Sequence, residues 1–178
     1  SVIPGRCEAA SPESITTTGS MDSGSAPDGA PRNDQVILFA DTFNRYFERE
    51  NLDAAIAVLH AAGYRVQVAK PADKKERPLC CGRTFLSVGA VKQAREEAAR
   101  TLEALQPFIE QGIPVIGLEP SCILSFRDEI PALVKSEAAS KLSQLALTFE
   151  EFLAREHKAG RLNLKLKPAN QRAFLHGH

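Results

Sequence analysis

Four cysteines, at positions 7, 80, 81 and 122, carry most of the reactive chemistry available to this chain. Cys80 and Cys81 are adjacent and followed by Gly82, while Cys122 ends the run Glu119-Pro120-Ser121-Cys122. Thiolates in such positions ligate zinc or iron–sulfur clusters, or act as nucleophiles. Each also has a plain alternative, because an unpaired cysteine is often a small buried hydrophobe. Cys122 follows Pro-Ser at an expected helix start, where the peptide dipoles favour a thiolate. No histidine stands beside it in sequence, and Cys80 with Cys81 would close only a strained ring, so thiol catalysis ranks below metal binding. Of the four histidines, His60 and His157 fall on expected helices and read as surface or capping groups. His176 and His178 read as ligands only within a longer protein.

Positioning these groups requires a folded domain, and the composition supports one. Of 178 residues, 43% are hydrophobic, and 22 basic side chains balance 22 acidic ones. A neutral chain has no electrostatic basis for binding nucleic acid or an anionic membrane. No apolar run is long enough to span a bilayer. Four cysteines are too few for a disulfide scaffold, and no export signal opens the sequence, so a reducing cytoplasm is the expected compartment.

Residues 1–34 are rich in Gly, Pro, Ser and Thr and lack aromatic residues, so they read as a disordered leader or non-native extension. The only methionine, Met21, follows Gly19-Ser20, as a native start behind an expression leader would. This segment carries two basic and five acidic residues, which leaves a charge of +3 on residues 35–178. The latter are expected to form one domain.

From Gln35 onward, β-branched runs alternate with helical stretches. The pattern predicts a three-layer, Rossmann-like α/β fold, its mostly parallel sheet covered by helices on both faces. Strands are expected at 36–40, 64–68 and 113–118, with further candidates at 162–166 and 173–176. A helix capped by Asn51 ends at Gly63, and another runs from beyond Ser87 to Gln111 with a kink or break at Pro107. Shorter helices are expected at 122–128 and 136–146. Thr148 and Glu151 have capping-box spacing for a helix reaching His157. The charged run from Asp73 to Arg77 reads as a solvated loop.

In open parallel sheets, ligands collect beyond the carboxyl ends of the strands. The first strand leads into Asp41-Thr42-Phe43-Asn44-Arg45-Tyr46, the third into Glu119-Pro120-Ser121-Cys122, and the last into His176-Gly177-His178. All three polar clusters fall on one edge, which the loop at Cys80-Cys81-Gly82 can reach. Asp41, Asn44 and Arg45 have two readings of equal weight: tying down their loop, or contacting a substrate or partner.

The motifs Cys80-Cys81-Gly82, Glu119-Pro120-Ser121-Cys122 and the Asp41–Tyr46 stretch, in that combination, resemble the cysteine-rich CCG domain of iron–sulfur oxidoreductases. The closest likeness is to the C-terminal region of FAD-linked oxidases of the glycolate oxidase and D-lactate dehydrogenase type. The resemblance implies an electron-transfer module with Cys80, Cys81 and Cys122 as ligands of a 4Fe–4S cluster or zinc, joined by His176 or His178. Asp41, Asn44, Arg45, Gly82, Glu119 and Ser121 are its other motif positions. Such domains occur in pairs, and His176-Gly177-His178 resembles the start of a His-Gly-His-Cys-His motif, so the chain reads as the first of two repeats, truncated. It is then one ligand short, and the segment alone is expected to carry no cluster and no activity. FAD would sit on a partner domain or subunit, because no Gly-rich phosphate loop is present. The expected partners are the second repeat and a flavin dehydrogenase unit, with self-association through the exposed repeat surface. A structural or docking module holding zinc or no metal is the alternative, and thiol catalysis at Cys122 the second alternative.

Overall fold

A strand in a parallel sheet lies between two layers and must be apolar on both faces. Val36, Ile37, Leu38 and Phe39 meet that demand and are sealed from solvent. The computed structural model describes residues 34–73, 77–167, 172 and 174. In chain order the elements are β1 (Gln35–Phe39), α1 (Thr42–Tyr46), α2 (Arg49–Ala61), β2 (Arg65–Val68), α3 (Arg83–Ser87), α4 (Val91–Glu110), β3 (Val115–Gly117), α5 (Pro120–Leu124), α6 (Glu129–Leu133), α7 (Glu137–Leu145), β4 (Ala146–Thr148) and α8 (Phe149–Lys158). One four-stranded sheet has the order β2-β1-β3-β4, and every pairing is parallel. The α/β class follows the sequence pattern. The expected leader over residues 1–34 lies outside the described residues except for Asp34.

Period-two alternation sends neighbouring β1 residues to opposite faces. Ile37 and Phe39 join a core built from α4, α5 and α7 through Ala98, Leu102, Leu105, Ile123 and Leu142. Val36 and Leu38 join a second core with Leu52 and Leu59 of α2 and Phe152 of α8. The rings of Phe39 and Phe126 meet edge to face at 4.8 Å on the first side, and those of Tyr64 and Phe152 at 5.0 Å on the second. Cys81 and Cys122 belong to the first core, so the thiols lie on the α4–α7 side of the sheet.

On the second side, α8 is fixed by a buried carboxylate. Glu156 accepts hydrogen bonds from Arg161 (Nε, 2.7 Å), Tyr64 (Oη, 2.9 Å) and Arg155 (Nε, 3.0 Å). Arg161 above all holds its carboxyl down, to about 2 from the ordinary 4.5. A carboxylate with a depressed folded-state pKa stabilises the fold above its unfolded pKa, and that contribution disappears as pH falls through the folded value. Glu156→Gln is therefore expected to cost about 2 kcal/mol at pH 7. The difference from wild type should shrink across pH 4.5 to 2. Urea unfolding of both proteins at pH 7, 4 and 2.5 checks this; a pH-independent difference would contradict it.

Several boundaries differ from the sequence expectation for local reasons. The stretch after β1 is a helical turn, because Asp41 caps it. The cap of α2 is at Glu48, and Asn51 lies inside the helix with its Nδ2 donating to Glu48 Oε2 at 2.8 Å. Pro107 does not interrupt α4: the helix continues to Glu110, because a proline this close to the end removes little of the hydrogen-bond ladder. The expected third strand contracts to Val115–Gly117, and Ala146–Thr148, read from sequence as a helix end and a cap, is a strand paired to it. Residues 162–166 are not a strand. Leu162 and Leu164 rest on the second core instead. The candidate strand at 173–176 falls outside the described residues except for Phe174, which is irregular. The capping box is present, with Thr148 Oγ1 accepting from Glu151 N–H at 3.2 Å and Glu151 Oε2 accepting from Thr148 N–H at 2.9 Å.

Candidate functional site

β1 lies between β2 and β3, so the connections leaving β1 and β2 run to opposite sides of the first strand. That reversal opens a crevice beyond the carboxyl ends of β1 and β3. Two short polar turns form its rim. After β1, Asp41 is buried, and its Oδ1 accepts from the N–H groups of Phe43 (2.9 Å) and Asn44 (3.0 Å). Its Oδ2 accepts from Asn44 Nδ2 at 2.7 Å. Asp41 and Asn44 are thus engaged with each other and with the turn. Arg45 Nε is buried and has no hydrogen-bond partner among the described residues. After β3, Glu119 caps α5, its Oε1 accepting from Ser121 N–H at 3.2 Å and from Ser121 Oγ at 2.5 Å. These caps set where α5, and with it Cys122, begins.

The loop at Cys80 reaches the same rim from the side of α4. Gly82 has φ 83°, and a Cβ there would stand 3.2 Å from the Ala94 carbonyl oxygen, so this turn against α4 calls for glycine. The Cys80 backbone is held on both sides: its N–H donates to Glu97 Oε1 at 3.2 Å, and its carbonyl accepts from Thr101 Oγ1 at 3.0 Å. Glu97 and Thr101 are buried. Arg100 links this anchor to the preceding connection through Asp73 Oδ2 (2.9 Å), the Pro78 carbonyl (2.9 Å) and Glu97 Oε1 (2.9 Å), and Arg77 donates to Glu97 as well. Asp73 and Arg77 are thus tied into an ion network, while the Arg77 side chain stays 54% exposed, as the solvated-loop reading expects. Residues 74–76 lie outside the described residues.

The result is a close approach of two sulfurs that are distant in sequence. Cys81 Sγ donates to Cys122 Sγ at 3.3 Å, across a separation of 41 residues, and both side chains are buried. Cys80 is half-buried, and its sulfur accepts from Gly82 N–H at 3.5 Å. The hydrogen bond to Cys122, assisted by burial, pushes the Cys81 thiol up to about 12. Cys80 is raised well beyond the ordinary thiol value of 9.0, first by its hydrogen bond to Cys81 and then by burial. Neighbouring sulfurs cannot all ionise together unless a cation compensates them, which is the condition a metal ion would relieve with release of protons.

A tetrahedral zinc or a cubane cluster takes four protein ligands. Among the described residues, no three His, Cys, Asp or Glu side chains come together closely enough to hold a metal ion. Cys81 and Cys122 make a pair with Cys80 as neighbour, which is part of a ligand set and not a complete one. His176 and His178 fall outside the described residues. His60 and His157 are exposed on α2 and α8.

Two further features lie at this edge. A cleft of about 320 Å³ lies on the α2–α8 side, lined by Asn44, Glu48, Asn51, Leu118, Glu119 and Phe149. Phe43 and Tyr46 of α1 and its C-cap residue Phe47 are 53%, 56% and 75% exposed. Their i, i+3, i+4 spacing is that of one helix face, on a run too short to stand out in the sequence. No helix among the described residues is long and apolar enough to cross a membrane.

No family model and no solved structure matches the chain. It is 34% identical over 113 residues to D-2-hydroxyglutarate dehydrogenase of Pseudomonas putida, a match covering 64% of this chain and 10% of that protein. It is 29% identical over 148 residues to a subunit of the anaerobic glycerol-3-phosphate dehydrogenase of Escherichia coli, covering 83% of this chain and 35% of that protein. The chain thus spans only a part of the length of either relative. Both relatives are dehydrogenase proteins, and it is to the oxidoreductases that this chain is related.

Proposed function

We propose that this chain is the thiol-bearing module of a dehydrogenase assembly and relays electrons between a flavin dehydrogenase unit and an acceptor. The observation that carries the reading is the 3.3 Å approach of Cys81 to Cys122 at the carboxyl edge of a parallel sheet. In this reading Cys81 and Cys122 are ligands of an iron–sulfur cluster or zinc, and Cys80 is a third. The remaining ligands come from outside the described residues: from His176 or His178, or from a second repeat in a longer protein. The substrate of the flavin unit is of the 2-hydroxy acid type, in line with one relative's name. FAD belongs to that unit, which meets this module as a domain or a subunit; the name of the other relative is that of a subunit.

Anaerobic expression of the complete protein, followed by assay of iron, acid-labile sulfide and zinc, tests the reading. Cys81→Ala and Cys122→Ala should each lower metal affinity at least about tenfold, since loss of a ligand exceeds the loss of a group that orients one. Metal content unchanged in both variants would overturn it. A docking module with zinc or no metal is the second reading, favoured by the incomplete ligand set among the described residues. Unchanged melting after chelation, with intact assembly, would select it. Thiol catalysis by a Cys80–Cys81 pair is disfavoured because adjacent cysteines pair only with strain.

A further inference from the structure

We infer that Cys81 and Cys122 are a site of reversible oxidation, joined as a disulfide by a small hydroperoxide. The inference rests on geometry alone and applies to the metal-free protein, so it stands or falls separately from the electron-relay reading. The sulfurs are 3.3 Å apart. They need to close by about 1.3 Å to reach a disulfide bond length. One partner lies in the loop before α3 and the other in α5, and both belong to the same core, so the link would tie two elements that already touch. Burial of both side chains admits a water-sized oxidant more readily than a bulky thiol, which favours the internal bond over a mixed disulfide.

The competing pairings are poorer. Cys80 and Cys81 are neighbours in the chain and pair only with strain. Cys80 is directed toward Gly82 N–H at 3.5 Å. The electron balance is simple. Peroxide oxidises the Cys122 sulfur, its O–O bond breaks, an S–O bond forms to give a sulfenic acid, and one water leaves. The Cys81 sulfur then attacks that sulfur; the S–O bond breaks, the S–S bond forms, and the proton shed by Cys81 leaves with the hydroxyl as a second water. Two thiols lose two electrons and two protons, and the peroxide is reduced to two waters. A dithiol reductant reverses the step.

The test uses the reduced, metal-free chain, treated with hydrogen peroxide, alkylated and digested without reductant for mass spectrometry. Of the four cysteines in the sequence, two should lose their reactivity to alkylation. The linked peptide should contain Cys81 and Cys122, and dithiothreitol should restore both thiols. Cys80→Ser should keep the link, and Cys122→Ser should lose it while its circular dichroism stays that of the wild type. A dominant link through Cys80 or Cys7 would overturn the inference, as would sulfinic acid on Cys122 without any link. Should Cys122→Ser fail to fold, the wild-type and Cys80→Ser peptide maps decide alone.

Discussion

Replacing Glu97 by alanine should destabilise the domain by about 3–5 kcal/mol, the cost of leaving one half of a buried charge network uncompensated. Glu97 is 3% exposed on α4 and accepts from Arg77, from Arg100 at 2.9 Å and from the Cys80 N–H at 3.2 Å. Its loss leaves the part-buried Cys80 N–H without this acceptor and removes one of the four acceptors of Arg100, whose side chain is only 10% exposed. Arg100 keeps Asp73, so the network does not dissolve completely. Glu97→Gln retains an acceptor for Cys80 and should cost roughly half as much. Urea unfolding at pH 7 measures both, and a cost for alanine below about 1 kcal/mol would mean that water replaces the carboxylate. The effect should extend to the thiols. Alkylation of Cys80 should speed up in Glu97→Ala, because the bond that fixes its backbone is gone, while Cys122, held by β3 and α5, keeps its rate.

The sheet and the long helices were legible because burial there is written as periodicity. β1 reads as a run apolar on both faces, and Ala94, Ala98, Leu102 and Leu105 mark the buried stripe of α4. Val91, at the same spacing, is 47% exposed, because α4 only begins there. α1, α6 and β4 left no clear pattern, since five residues or three complete one period but never repeat it. Glu97 was not singled out in the sequence, where it sits within Arg95-Glu96-Glu97. A signal was available: it stands three residues after Ala94 and four before Thr101, on the buried stripe, and Arg100 follows at the spacing of a helical ion pair. At the candidate site, sequence order and the rule for parallel sheets were enough to bring the CCG loop and the start of α5 to one edge. That Cys81, rather than Cys80, faces Cys122 depends on the left-handed turn at Gly82, which no spacing rule contains. The cleft on the α2–α8 side arises from tertiary packing between elements far apart in the chain.

Gly117→Ala should be the most damaging alanine substitution among the described glycines, at about 3 kcal/mol or more, the upper end of the range for overpacking. Gly117 ends β3 in ordinary extended backbone, so conformational strain is not the cause. Space is: a Cβ there would stand 2.5 Å from Ile123 Cβ and 2.9 Å from its Cγ1. Ile123 is fully buried, and its Cβ is fixed to the α5 backbone, so no rotamer change relieves the contact. The whole of α5 has to move away from the sheet, and Cys122, adjacent to Ile123, moves with it. Gly63→Ala supplies the control, because its Cβ would meet nothing within 4 Å while its φ of 89° remains unfavourable. Strain alone should cost about 1 kcal/mol there. The two variants therefore separate crowding from backbone strain. Only Gly117→Ala should also slow formation of the Cys81–Cys122 link under peroxide, because only there is one sulfur displaced from the other. Equal losses of stability in the two variants, with equal rates of link formation, would show that α5 yields freely and that its seat on Gly117 does not position Cys122.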